Sequence, residues 1–158
     1  MALNLIGAAG ANVLTGNVAA NLIRGGGGND RLLGSAGSDT LDGGGGRDRL
    51  LGGTGQDVLA GGGAADVFVF ASAAEAGNGA ARDRITDFQA GFDRIDLSGF
   101  MAGGSFIGAA GFALNGLPQV RYVQAIGILV GDVDGDQVAD LSIKLDGNPV
   151  LAAGDFVF

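Results

Sequence analysis

The chain has 158 residues, a length typical of one domain, and its formal net charge is −8. It contains 33 glycines and 2 prolines, with no cysteine and no histidine. These absences exclude a disulfide scaffold, a thiolate or imidazole metal site, and a Ser-His-Asp or Cys-His catalytic centre. The negative charge disfavours nucleic acid as a partner, and no apolar run is long enough for a membrane span.

The acidic residues are almost all aspartate: 16 of the 17 are Asp, and only Glu75 is glutamate. The short side chain of aspartate keeps its charge close to its own backbone. It is therefore common in tight turns and in oxygen cages around divalent cations. This composition favours cation binding in loops.

A nine-residue repeat fills residues 7–69 seven times without an insertion. Position one is always glycine, and position eight is always leucine, isoleucine or phenylalanine. Position six is occupied by Asn12, Asn21, Asp30, Asp39, Asp48, Asp57 and Asp66. A flexible glycine linker does not explain an apolar residue at position eight of every repeat. The repeat therefore predicts a folded solenoid.

Each nonapeptide predicts a glycine-rich turn followed by a three-residue strand at positions seven to nine. Two nonapeptides then complete one circuit of a flattened coil. Residues 18 apart stack at the strand spacing of about 4.8 Å. The prediction for residues 7–69 is therefore an all-β, parallel β-roll.

Stacking brings aspartates from successive circuits together, for example Asp30 beside Asp48. Two carboxylates about 5 Å apart repel each other by roughly 1–3 kcal/mol. One leucine-sized core residue per repeat, worth about 1.5–3 kcal/mol, offsets little of the cost of ordering nine backbones. A hard cation between the loops turns this repulsion into attraction. Ca²⁺ suits such a site better than Mg²⁺, because it accepts six to eight oxygens in adaptable geometry.

The pattern GGxGxDxUx, clearest over residues 25–63, resembles the nonapeptide of RTX (repeats-in-toxin) proteins. The resemblance implies a β-roll that binds several Ca²⁺ ions through aspartates and loop carbonyls. The implied side-chain ligands are Asp30, Asp39, Asp48, Asp57 and Asp66. The implied carbonyl ligands belong to Gly25, Gly27, Gly34, Ala36, Gly43, Gly45, Gly52 and Thr54. Asn12 and Asn21 depart from the pattern and are expected to hold weaker sites, or none.

Residues 70–158 leave the nonapeptide period and predict further strands. RDRITDF and FDRIDLSGF alternate apolar and polar residues, as half-buried strands do. Further candidate strands cover residues 105–107, 120–128, 139–145 and 155–158. Residues 71–81 predict a loop with one short helical turn. We expect an antiparallel, sandwich-like β-sheet that caps the end of the roll.

ADVFVF, RDRITDF, FDRIDLSGF and the final DFVF resemble the C-terminal region of serralysin-type secreted proteases and the R modules of mannuronan C5-epimerases. The protease zinc motif and an epimerase catalytic domain are absent from this sequence. The resemblance therefore implies a non-catalytic accessory module of an extracellular bacterial protein that leaves the cell through type I secretion machinery. It places an export signal at residues 155–158, which equally fit a closing β-strand.

Two further groups of aspartates are candidate calcium ligands. Asp132, Asp134, Asp136 and Asp140 match the spacing that begins an EF-hand loop. However, Gln137 and Ile143 replace the glycine and glutamate of that loop, so an acidic hairpin turn fits equally well. The family resemblance implies another site beside the last coil, with Asp83, Asp87 and Asp93 as its ligands.

Arg31 and Arg49 both occupy position seven, so the 18-residue register places them side by side on an outer face. One interpretation is a solvated face that balances the acidic loops. The alternative is a docking strip for an acidic, alginate-like polysaccharide, since guanidinium groups bind carboxylates in a bidentate manner. The alternative function is therefore that of a polysaccharide-binding R module.

Overall fold

The computed structural model describes all 158 residues and contains 15 short strands, one four-residue helix and three 3₁₀ turns. The strands of the repeat region are β1 (Asn4–Ile6), β2 (Val13–Thr15), β3 (Leu22–Gly27), β4 (Arg31–Ala36), β5 (Thr40–Gly45), β6 (Arg49–Thr54), β7 (Val58–Gly63) and β8 (Val67–Val69). The later strands are β9 (Asp83–Ile85), β10 (Arg94–Asp96), β11 (Ser105–Phe106), β12 (Gln119–Val123), β13 (Ile128–Asp132), β14 (Leu141–Leu145) and β15 (Phe156–Val157). Helix α1 covers Ala73–Ala76, and the 3₁₀ turns cover Gly79–Ala81, Gln124–Ile126 and Ala153–Asp155. No helix combines the length and apolar character that crossing a bilayer requires.

Alternate strands of the repeat region belong to two parallel sheets. Strands β1, β3, β5 and β7 lie in one sheet, and β2, β4, β6 and β8 lie in the other. Leu32 is paired with Leu50, and Leu41 with Leu59, each at an offset of 18 residues. This register confirms the parallel β-roll with two nonapeptides per circuit.

The strands β3 to β7 are six residues long, so the predicted three-residue strands were too short. Pairing skips position one and resumes at positions two and three of the next nonapeptide, as between Gly26 and Gly44. These glycines have φ values of +99° and +98°. Glycine adopts this conformation without steric cost, so the chain bends there while its backbone pairing is maintained.

The residues at position eight fill the space between the two sheets. Their side chains are fully buried in six consecutive repeats, at Ile23, Leu32, Leu41, Leu50, Leu59 and Phe68. Ile85 of β9 and Ile95 of β10 join the same core. The core is therefore a single column of apolar side chains that runs along the roll.

The segment after the repeats extends both sheets. Strand β9 pairs with β7 and β10 pairs with β8, and β14 and β15 add further parallel strands beyond them. The antiparallel part is the meander of β12, β13 and β14. This confirms the all-β fold, and it shows that parallel pairing reaches well beyond residue 69. The division into domains 7–69 and 70–158 stays a prediction.

The strands predicted after the repeats contain β9, β10, β11, β14 and β15 and all of β12 except Gln119, and the predicted short turn contains α1. The predicted strand 120–128 is interrupted by a 3₁₀ turn and by Gly127, whose φ is +63°. Strand β13 begins directly after this glycine. A reversal of direction at Gly127 therefore replaces the single long strand.

Gly44 and Gly45 provide a matched test of the turn. A Cβ on Gly44 would clash with the carbonyl oxygen of Gly26, whereas the nearest atom to a Cβ on Gly45 is 4.0 Å away. We expect Gly44→Ala to lower the free energy of unfolding by at least about 1–2 kcal/mol, the cost of the left-handed conformation alone. Gly45→Ala should change it little, since Ala36 and Thr54 occupy the equivalent position. Urea unfolding followed by circular dichroism measures both, and equal losses would contradict this account.

Candidate functional site

The side chains at position six form two ladders along the roll. The first ladder consists of Asn12, Asp30, Asp48, Asp66 and Asp93. The second ladder consists of Asn21, Asp39, Asp57 and Asp83. In both ladders the Oδ1 atom of each aspartate accepts a hydrogen bond from the backbone N–H of the preceding ladder residue, at 2.7–2.9 Å. The aspartates therefore fix the register between neighbouring circuits.

The other carboxylate oxygen, Oδ2, has no hydrogen-bond partner in six of these aspartates. All six oxygens are buried, and they belong to Asp30, Asp39, Asp48, Asp57, Asp66 and Asp83. A buried carboxylate oxygen without a donor is costly, because it has lost its hydration without replacement. A bound cation removes this cost.

Each unpaired oxygen in the repeats lies beside the first glycine of its own nonapeptide. A Cβ on Gly25 would clash with Asp30 Oδ2 and lie 2.6 Å from the carbonyl oxygen of Gly43. Gly43 is bordered in the same way by Asp48 and by the carbonyl of Gly61. The space at position one is thus lined by a carboxylate oxygen and by a carbonyl oxygen from the next circuit. Only hard oxygen donors are present, which fits Ca²⁺.

The implied carbonyl ligands fall into two groups. Gly25, Gly34, Gly43 and Gly52 occupy position one and border these spaces. Gly27, Ala36, Gly45 and Thr54 occupy position three. The carbonyls of Gly45 and Thr54 already accept hydrogen bonds from backbone N–H groups, at 2.7 and 2.9 Å. A carbonyl oxygen has two lone pairs, so one remains for a metal. The ligand role of both groups stays a prediction.

Burial raises the pKa of five of the ladder carboxyls in the metal-free chain. It raises the pKa of Asp57 and Asp66 to about 6, and that of Asp83 to about 8. Neighbouring carboxylates raise these pKa values further, while backbone N–H donation lowers them without outweighing burial. The pKa values of Asp48 and Asp93 are also raised, mainly by burial.

The structure does not bring Asp83, Asp87 and Asp93 into one cluster. Asp83 and Asp93 extend different ladders, at offsets of 26 and 27 residues. Asp87 binds the backbone instead, accepting hydrogen bonds from Gly61 N at 3.0 Å and Gly62 N at 2.8 Å. Of the three aspartates, Asp83 alone retains a buried oxygen without a partner.

The ladder positions of Asp83 and Asp93 were missed in the sequence, although a signal for them exists. Both aspartates begin a D-R-I triplet, which matches the D-R-L triplets at residues 30–32 and 48–50. These four triplets occupy equivalent places at the start of a strand. A search for the triplet alone, without the nine-residue period, finds all four.

Asp132, Asp134 and Asp136 lie together at the tip of the β13–β14 hairpin, with carboxylate oxygens within 4.8 Å of one another. The buried Asp132 accepts hydrogen bonds from the backbone of Gly135 and Gln137, at 2.7 and 2.9 Å. Asp140 Oδ2 accepts one from Val133 N at 2.7 Å. Both oxygens of Asp132 and one oxygen of Asp140 thus already accept hydrogen bonds from the loop backbone, and a calcium site here stays a prediction.

Together, the fold and the site define a class of protein: a parallel β-roll that carries two ladders of buried carboxylates. The family model for the peptidase M10 serralysin C terminal matches residues 4–158, and the chain belongs to this family. The resemblance noted in the sequence is thereby confirmed.

Solved structures similar to the chain include two subunits of the Azotobacter vinelandii mannuronan C5-epimerase. The AlgE6R3 subunit is 28% identical with a TM-score of 0.46, and the match covers 96% of this chain and 80% of that one. The AlgE6R2 subunit is 27% identical with a TM-score of 0.47, and the match covers 98% of this chain and 91% of that one.

The raised pKa values of Asp57, Asp66 and Asp83 predict how pH affects the metal-free chain. The folded chain holds protons that the unfolded chain releases near pH 4, so protonation stabilises the fold at low pH. This stabilisation is lost as the pH rises through about 6 to 8. We therefore expect the free energy of unfolding in calcium-free buffer to fall between about pH 5 and about pH 8.

The β signal in the circular dichroism of the calcium-free chain, recorded at several pH values, measures this dependence as a folded fraction that declines as the pH rises towards neutral. Asp83→Asn serves as the control, because it removes the group with the highest of these pKa values and should flatten the decline above about pH 6. A free energy of unfolding that rises over this range in the wild-type chain would contradict the assignment.

Proposed function

We propose that this chain is a non-catalytic calcium-binding module whose β-roll folds when its ladders bind Ca²⁺. The observation that supports this most directly is the set of six buried Oδ2 atoms without partners. A chain without histidine or cysteine offers a metal only oxygen ligands, and calcium prefers these. The same lack supports an accessory rather than a catalytic role.

The residues that would hold the ions are aspartates one circuit apart, together with the first-position carbonyls beside them. The ladder pairs are Asp30–Asp48, Asp39–Asp57, Asp48–Asp66, Asp57–Asp83 and Asp66–Asp93. When bound, calcium supplies the positive charge that neutralises the facing carboxylates and coordinates the loop carbonyls. Because the ligands assemble only in the folded coil, binding free energy contributes directly to folding free energy.

This coupling supports a role in a secreted, extracellular bacterial protein. Where calcium is scarce, as in the cytosol, ionised ladder carboxylates repel one another and oppose closure of the coil. The narrow core gives each strand one buried side chain, which offsets little of this repulsion. The chain therefore stays unfolded inside the cell. It folds outside the cell, where calcium is plentiful and binds between the ladder aspartates.

The proposed export signal, Asp155–Phe158, is part of the folded structure. Strand β15 pairs with β10, and Asp155 accepts hydrogen bonds from Gly91 N and Ala152 N at 2.7 and 2.8 Å. The ring of Phe156 stacks on Phe106 with centroids 4.7 Å apart. The folded segment is thus a closing strand. We propose that the type I secretion machinery binds it as an export signal before folding, while it is still accessible.

Polysaccharide binding is the second candidate function. Arg31 and Arg49 lie side by side on β4 and β6, as predicted. However, Arg49 already pairs with Asp96 at 2.9 Å, which leaves Arg31 as the free guanidinium of the strip. This favours the solvated-face interpretation. Calorimetry with oligouronates tests the alternative, which requires binding heat that Arg31→Ala abolishes.

Asp48→Asn and Asp42→Asn test the calcium proposal as a matched pair. Each removes one negative charge, but Asp48 belongs to two ladder pairs whereas Asp42 lies on the outer face beside Arg24. We expect Asp48→Asn to bind about two fewer calcium ions than the wild type, one for each pair, and Asp42→Asn to bind the same number. Calorimetric titration measures the number of ions.

Circular dichroism tests whether calcium drives the folding of the wild-type chain. The wild-type spectrum should lose its β signal in EGTA and recover it when calcium is added. A β-rich spectrum that neither EGTA nor calcium changes would refute the proposal, as would equal numbers of ions in the two variants.

A further inference from the structure

The side chain of Asn21 joins two circuits of the roll without help from an ion. Its Nδ2 donates to the carbonyl oxygen of Asn17 at 3.1 Å and to that of Ala19, both in its own loop. The same nitrogen donates to Asp39 Oδ1 in the next circuit at 2.8 Å. Its Oδ1 accepts a hydrogen bond from Leu3 N at 3.1 Å. Every polar atom of this buried amide therefore has a partner.

Asn12 makes the equivalent contacts at the start of the first ladder. Its Nδ2 donates to the carbonyl oxygens of Ala8, at 3.3 Å, and Gly10, and to Asp30 Oδ1 at 3.2 Å. Its Oδ1 accepts a hydrogen bond from Ala8 N at 3.1 Å. Both asparagines thus link the carbonyls of their own loop to a carboxylate one circuit further on.

The surroundings fix the orientation of both amides. Each nitrogen faces three oxygen acceptors, and each amide oxygen faces a backbone N–H donor. A reversed amide would place oxygen against three oxygens and NH₂ against an N–H group, and would lose all of these hydrogen bonds. In the metal-free chain the donor end therefore points into the loop.

The aspartate loops show the opposite situation. Beside Gly25, the space at position one faces Asp30 Oδ2, an oxygen without a partner. Beside Gly16, the equivalent space faces Asn21 Nδ2, which lies 3.0 Å from where a Cβ would sit. An N–H donor repels a cation and cannot ligate it through this nitrogen. The donor set that fits Ca²⁺ in the aspartate loops is therefore absent from the two asparagine loops.

We infer that Asn12 and Asn21 take the place of a cation with their own amide groups. The ladder positions Asn12–Asp30 and Asn21–Asp39 bind no calcium, and the first circuit of the roll closes its loops without it. This inference rests on the proposed function, since it concerns where the calcium sites begin. The amides of the first circuit then hold Asp30 and Asp39 in position, and the circuits that depend on ions begin with these two aspartates.

The double variant Asn12→Asp/Asn21→Asp tests this inference. The exchange is nearly isosteric, and it replaces each NH₂ donor with an oxygen that lacks a partner, as in the aspartate loops. In calorimetric titration or native mass spectrometry of the full chain, we expect the variant to bind up to two more calcium ions than the wild type. Asn17→Asp is the control, because it adds a charge to the same loop outside the ladder and should leave the number unchanged.

The outcomes separate this inference from the proposed function. A wild-type chain that binds no calcium overturns the proposed function, and the inference with it. If the wild type binds calcium and the double variant binds no additional ions, the inference alone is overturned.

A variant that removes the amides keeps the inference testable if the aspartate variant fails to fold. Asn12→Ala/Asn21→Ala should melt at a lower temperature than the wild type in saturating calcium, because the loop carbonyls lose their donors. It should bind the same number of ions as the wild type. Loss of ions from this variant would show that the asparagines are ligands, and would overturn the inference.

Discussion

The fold depends on carboxylates that are stacked one circuit apart inside a narrow coil. The two oxygens of each aspartate in the repeats have different roles. Oδ1 accepts the N–H of the preceding circuit and so sets the 18-residue register, as Asp48 does for Asp30. Oδ2 points to the space beside the first glycine and has no partner within the chain. The side chain that aligns the coils therefore also leaves a buried oxygen without a partner, and under the proposed function the same aspartates set the register and bind the metal.

The shape of the roll limits how far the apolar core can offset the cost of these buried carboxylates. Two sheets of short strands enclose one column of side chains, so lengthening the roll adds one core residue per strand and never widens the core. Glycine at the turns adds to the cost, since it loses more backbone entropy on folding than any other residue. The strands after the repeats compensate in part, because Ile85 and Ile95 continue the column and the meander of β12, β13 and β14 extends one sheet.

Features that repeat with the nonapeptide were predictable from the sequence. The period placed Leu32 beside Leu50 and Asp30 beside Asp48, because stacking at 18 residues follows from two repeats per circuit. Asp83 and Asp93 were not placed on the ladders, since the segments before them lengthen the offset to 26 and 27 residues and hide the period. The contacts of Asp87 and of the Asn21 amide depend on which backbone groups the fold brings near them. No local pattern in the sequence encodes those partners.

The ends of the second ladder show how the chain limits its buried charge. At one end, Asn21 contributes a neutral amide whose hydrogens satisfy the loop. At the other end, burial raises the pKa of Asp83 to about 8, so that carboxyl is largely protonated at neutral pH in the metal-free chain. Asp39 and Asp57 lie between these ends and face each other directly. Negative charge is therefore concentrated in the middle of the ladder, where carboxylates of successive circuits stack and each space is lined by one carboxylate oxygen and one carbonyl oxygen. An amide at one end and, in the metal-free chain, a proton at the other thus reduce the buried charge that calcium is proposed to neutralise along the ladder.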